Sequence, residues 1–135
     1  MKAVKLFAYL LVVISTSLFT RCTPENLNYG STTKEALIKS QWSVDYFFSG
    51  RDLTTQFSNY KLSFVGNGTV SASDGATSVN GTWSMITDLN HNDVLRINMS
   101  EAQLQGLNDE WTVRQTSDDE LNMKGSASEI RLKKN

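Results

Sequence analysis

Beyond Ser40 the chain alternates apolar and polar residues with a period of two. Trp42, Val44, Tyr46 and Phe48 alternate with Ser43, Asp45 and Phe47, which predicts a strand with one strongly apolar face. The alternation recurs in Tyr60, Leu62 and Phe64, in Val70 and Ala72 within Thr69 to Ser73, and in Val79, Gly81, Trp83 and Met85. It returns in Leu95, Ile97 and Met99, in Trp111 and Val113, in Leu121 and Met123, and finally in Ile130 and Leu132. The pattern therefore predicts eight short strands, each burying one face.

The segments between them carry turn chemistry. Asn67-Gly68 and Asp74-Gly75 are favoured two-residue hairpin signals, because both residue types tolerate positive φ. Asn90 to Asp93, Ser117 to Asp119 and Gly125 to Ser128 are also short and polar. Short connections make consecutive strands antiparallel neighbours. Two segments have helical signals instead. Thr32 with Glu35 forms a capping box ahead of Leu37 and Ile38, and the helix stops by Ser40. Ser100 with Gln103 repeats the box ahead of Leu104 and Leu107, predicting a second short helix at one end of the structure.

Eight one-faced antiparallel strands in a meander leave two open edges unless the sheet closes on itself. Closure removes both. The expected fold is all-β: an eight-stranded antiparallel up-and-down barrel of the lipocalin-like type with two short helices. A two-sheet sandwich carries the same signature and is the alternative.

The first residues follow a different logic. Lys2 and Lys5 precede an apolar run from Leu6 to Ile14, and Ser15-Thr16-Ser17 follows, which is the order of a secretory signal. Even extended to Phe19, the run is shorter than the roughly 20 residues a spanning helix needs. Cys22 is the only cysteine, so no intramolecular disulfide can form. Phe19-Thr20-Arg21-Cys22 resembles the lipobox of bacterial lipoprotein signals, although Arg21 stands where a small residue is usual and Phe19 replaces an aliphatic. That resemblance implies acylation of Cys22. Acyl chains contribute about 0.8 kcal/mol per buried methylene, and more than one chain makes a stable anchor. The expected organisation is a signal peptide over residues 1–21, a polar tether over 22–31 that includes Pro24, Asn26, Asn28 and Gly30, and a barrel domain over 32–135.

The full chain has 13 basic and 14 acidic side chains, and removal of the signal takes away only cations, Lys2, Lys5 and Arg21. The remaining domain is acidic and has no basic face for nucleic acid.

The strand residues also resemble the lipocalin-like (calycin-like) lipoproteins of Bacteroidetes-type bacteria. The likeness spans Leu37 to Leu132 and rests on Gln41-Trp42-Ser43-Val44, Tyr60-Lys61-Leu62-Ser63-Phe64 with Asn67-Gly68-Thr69-Val70, Val79-Asn80-Gly81-Thr82-Trp83-Ser84, Glu110-Trp111-Thr112-Val113 and Ile130-Arg131-Leu132. True lipocalins open with Gly-x-Trp, and Ser40 occupies the glycine position here. The resemblance implies a cell-envelope protein, lipid-anchored at the outer membrane, whose barrel takes a small hydrophobic ligand.

In that reading Trp42, Tyr46, Tyr60, Phe64, Trp83 and Trp111 face inward and line the ligand pocket. They could equally fill the interior, since an eight-stranded barrel is just wide enough for side chains to pack it. The protein would then act on an envelope protein partner as a structural or interaction module. No enzyme is expected, for His91 is the only histidine and lies in a polar loop away from any nucleophile. No cofactor or metal is expected either. Asp88-x-Asn90-x-Asn92 begins like a calcium loop, but Asp93 replaces the glycine and Met99 the bidentate glutamate of that pattern. Asp118, Asp119 and Glu120 read as a solvated turn rather than paired catalytic carboxylates.

Overall fold

The computed structural model describes residues 29–135. Helix α1 (Tyr29–Lys39) leads into β1 (Gln41–Ser49), a short helix α2 (Thr54–Phe57), β2 (Lys61–Phe64), β3 (Thr69–Ser73), β4 (Ser78–Thr87) and β5 (Asp93–Met99). A 3₁₀ helix (Ala102–Leu107) follows, then β6 (Glu110–Thr116), β7 (Glu120–Lys124) and β8 (Ser128–Lys134). The eight strands form one closed barrel in sequence order, every neighbouring pair antiparallel. Among the described residues no helix is long and apolar enough to cross a membrane.

Closure is made by β1 and β8, which pair from Trp42 against Lys134 to Ser49 against Ser128. On the outside of this seam Arg131 forms a 2.7 Å ion pair with Asp45, and its guanidinium lies 5.7 Å from the centre of the Tyr46 ring. The pair is partly exposed, so it contributes at most about 1 kcal/mol. The ladder hydrogen bonds and the burial they permit hold the seam.

The alternation seen in the sequence breaks at one place. A register shift between Val44 and Tyr46 inserts an extra residue into β1. Trp42 and Val44 point inward before it, and Phe47 points inward after it, only 1% exposed. Tyr46 and Phe48, expected on the inner face, are thereby turned outward, and Phe48 is 38% exposed. Phe47 instead stacks within the barrel against Phe57, 4.7 Å away, and Trp111, 6.0 Å away.

The helices plug the two mouths. At one, α2 and the 3₁₀ helix pack together, with Phe57, Leu104 and Leu107 fully buried. Gln56 donates to the Gln103 carbonyl, and the Tyr60 hydroxyl bonds the Gln103 side-chain oxygen at 3.2 Å. Gln103 therefore holds the plug from outside rather than closing the expected capping box, and the 3₁₀ helix starts after Glu101 with no side-chain cap. Helix α2 was not expected; it exists because Phe57 must reach the core from a short connection. At the other mouth lies α1, which begins at Tyr29 rather than Thr32, so Glu35 pairs with Lys39 at 3.5 Å one turn on. Leu37 is its buried anchor.

Two glycines are required by close approach. A Cβ on Gly81 would sit 2.4 Å from the Asn98 carbonyl oxygen and 2.5 Å from the Met99 sulfur across the β4–β5 ladder. A Cβ on Gly106 would lie 2.9 Å from the Phe57 ring. In the hairpins at Asn67-Gly68 and Asp74-Gly75 only the glycine takes positive φ, +90° in both. Asn67 and Asp74 instead stay at negative φ and accept hydrogen bonds from amides two or three residues on.

Asp52, Asp74 and Asp88 each use a carboxylate in this way, and hydrogen bonds from nearby groups hold all three below the usual aspartate range. The largest causes are the Thr54 side chain for Asp52, the Thr77 amide for Asp74 and the Asn92 side chain for Asp88. A carboxyl whose folded pKa is depressed stabilises the fold above its unfolded value and loses that contribution as pH falls through the folded one. The loops should therefore weaken below about pH 4. In urea melts at pH 7 and pH 3, Asp74→Ala is expected to show a smaller midpoint difference than the native protein; an equal difference would assign the acid sensitivity to other groups. Gly81→Ala is expected to cost about 2 kcal/mol or more through overpacking against backbone. Gly66→Ala is the control, since its Cβ would meet only the Ile38 side chain at 3.8 Å. Thermal melts of the two variants should separate by several degrees.

Candidate functional site

The six aromatic residues singled out in the sequence do not form one pocket wall. Trp42, Phe64, Trp83 and Trp111 belong to the continuous core, with the three tryptophans 0%, 6% and 0% exposed. Each indole N–H has a backbone partner: Trp42 donates to the Leu37 carbonyl at 3.2 Å, Trp83 to Val65 at 2.9 Å and Trp111 to Leu107 at 2.9 Å. Phe64 meets Trp83 edge to face at 5.4 Å. Tyr60 is half-buried at the plugged mouth. Tyr46 lies on the outer surface beside Arg131, turned there by the β1 bulge. Cys22, the expected acylation site, lies outside the described residues.

The indole bonds have a local cause. Each tryptophan must bury a polar N–H, and each finds a carbonyl where a helix or turn ends next to it. Leu37 is in the last turn of α1, Val65 opens the β2–β3 turn and Leu107 ends the 3₁₀ helix. The tryptophans thus tie the end structures to the barrel. With Leu62, Leu95, Leu121, Met123, Ile130 and Leu132 packed among them, the interior is occupied by side chains.

The calcium-like run resolves into a loop lock. Asp88 Oδ1 accepts the amides of Asn90 and Asn92, each at 2.8 Å, and Oδ2 accepts the Asn92 side-chain nitrogen at 3.0 Å. His91 completes the bend with φ of +63°. The carboxylate is turned onto its own loop. Among the described residues no cluster of three or more histidine, cysteine, aspartate or glutamate side chains is placed to hold a metal ion. Asp118 and Asp119 are exposed, and Asp119 sits 3.9 Å from Lys134.

A different group stands out next to this loop. Asp93 opens β5 two residues before Leu95 and shares its inward parity with Leu95, Ile97 and Met99. It is only 5% exposed, and its buried Oδ1 has no hydrogen-bond partner. The residue lines a half-open cleft of about 490 Å³ between α1, the β4–β5 loop and the β6–β7 loop, with Oδ1 itself closed off from solvent. Ala36 and Val113 give the cleft apolar wall, Thr33 is buried along its α1 side, and Arg114 and Asp118 stand exposed at its rim. In sequence Asp93 stands at the end of the polar segment Asn90 to Asp93. Its register with Leu95 was the signal that could have found it.

No protein-family model matches the chain. No curated protein matches it either. Among solved structures, the chain is similar to a crystal structure of a DUF4847 family protein from Bacteroides vulgatus, with a TM-score of 0.56 and 16% sequence identity. The alignment covers 76% of this chain and 97% of that one. At this identity the likeness establishes a shared fold: an eight-stranded barrel that resembles a DUF4847 protein.

Proposed function

We propose that this protein is a lipid-anchored lipoprotein of the cell envelope, lipocalin-like in type, whose barrel is a packed scaffold that acts through its outer surface and its ends. The observation that carries this reading is the occupied interior. An eight-stranded barrel has room either for inward side chains or for one small ligand. Among the described residues twenty buried apolar side chains form one cluster, and all three indole N–H groups are committed to backbone carbonyls. A hydrophobic ligand would have to displace packed side chains at a cost of several kcal/mol.

Of the two readings open from the sequence, an envelope interaction module is therefore favoured over a carrier of an apolar molecule. The anchoring half of the proposal rests on the signal-like start, the loose lipobox ending at Cys22 and the polar tether of residues 23–28 before α1. Such a tether, at up to about 3.5 Å per residue, holds the barrel within a few tens of ångströms of the bilayer surface.

Titration with a lipid-like fluorophore tests the packed-scaffold half. Tryptophan emission is expected to stay unquenched at tens of micromolar probe, and saturable quenching would restore the carrier reading. Anchoring is tested separately by expressing the full chain in a bacterium with lipoprotein processing. The native protein is expected in the membrane fraction with an acylated amino-terminal cysteine by mass spectrometry, and Cys22→Ser in the soluble fraction. An unmodified cysteine in the native protein would remove the anchor from the proposal.

A further inference from the structure

We propose that the Asp93 cleft at the α1 end of the barrel is a binding site for a small molecule carrying a primary ammonium group. The inference does not depend on acylation of Cys22 and goes beyond the scaffold reading.

Its starting point is an unmet demand. A carboxylate oxygen is an acceptor only, and burying it unpaired carries the full desolvation cost of that atom. Asp93 is 5% exposed, and its Oδ1 has no donor among the described residues. The other loop aspartates behave differently. Asp52, Asp74 and Asp88 are all engaged by donors from their own turns. Asp93 is thus the described aspartate that the fold leaves with a buried, unpaired oxygen at the edge of a cleft.

The cleft's form selects the partner's chemistry. At about 490 Å³ it falls within the size range of small-molecule sites, roughly 300–1,000 Å³. A divalent cation would need more ligands than Asp93, and no metal-holding cluster occurs among the described residues. A compact organic cation needs fewer. Its ammonium would donate to Asp93 once a turn of the carboxylate brings an oxygen to the cleft, and a short aliphatic stem would lie along Ala36 and Val113. Arg114 and His91 are exposed at the rim, where solvent screens their repulsion of a buried ammonium. Arg114 also offers a planar donor fork, so a ligand with an anionic group beyond its ammonium suits the rim better than a plain amine. Free amines and the ethanolamine headgroup of a lipid share this chemistry.

Amide shifts in ¹⁵N-labelled protein, titrated with butylammonium, 1-butanol and glycerophosphoethanolamine, distinguish these cases. Butylammonium is expected to give saturable shifts at Asn92, Asp93, Val113 and Thr116, with 1-butanol giving none. Tighter binding of glycerophosphoethanolamine would identify a lipid headgroup as the source, and equal or weaker binding a free amine. Asp93→Asn, folded by its otherwise superimposable spectrum, is expected to weaken the response at least about tenfold. Should that variant fail to fold, Thr116→Arg, at an exposed position lining the cleft, places a competing cation there and is expected to abolish the response. The proposal is overturned by an equal response to 1-butanol, by native affinity in either folded variant, or by no saturable response to any of the three probes.

Discussion

The pairing of β1 with β8 is the interaction on which the rest of the molecule depends. Without it the meander is an open sheet with two unpaired edges and one uncovered apolar face. With it, every strand has two neighbours and the inward residues of all eight are brought to one axis. The seam is long because β1 and β8 are long, from Trp42 against Lys134 to Ser49 against Ser128. It also sets a geometric problem, since a strand that runs the length of a closed barrel must bend. The bulge between Val44 and Tyr46 is where β1 does so.

That bulge decides which aromatics are inside. A period-two reading continued through Val44 sends Tyr46 and Phe48 inward and Phe47 outward; the extra residue reverses all three. Phe47 then becomes the ring that joins Trp111 to Phe57, and through Phe57 the barrel core to its plug. Gly106 is the complement of that contact, since any side chain there would meet the Phe57 ring.

Most of the architecture was legible because it is local. Strand positions follow from alternation in residues such as Leu62 and Phe64 or Leu95 and Ile97, and strand order follows from loops too short to cross over. What was not legible depends on partners distant in sequence. Ser100 and Gln103 have the spacing of a capping box, yet Gln103 is claimed by Tyr60 and Gln56, more than forty residues away. Asp93 reads as one more polar loop residue beside Asn90 and Asn92. Its surroundings include Thr33 and Ala36 of α1, far earlier in the chain, which line the same cleft. The inward tryptophans were found, but composition alone left open whether they line a cavity or fill it. Their indole hydrogen bonds and continuous packing separate the two.

A filled barrel moves chemistry to its ends. Interior positions are consumed by packing, and outward strand positions repeat a polar surface that ladder hydrogen bonds keep regular, so irregular backbone and unmet polar groups gather where strands stop. The two ends of this barrel differ in that respect. The α2 end is sealed by rings and by Gln103, and nearby Asp109 has its carboxylate taken up by Ser126 and Ser128. The α1 end is sealed only in part, because α1 contributes one buried leucine and then small residues, Thr33 and Ala36, along the side that faces β5 and β6. Small residues on a capping helix leave space that larger ones would fill, and the cleft is that space. Asp93 stands in it because β5 begins there with an inward residue, the one inward position of that strand that is not apolar. A leucine or valine at this position would continue the apolar row of Leu95, Ile97 and Met99 and be easier to bury. The fold therefore bears the cost of an unpaired buried oxygen at the end where the cleft lies.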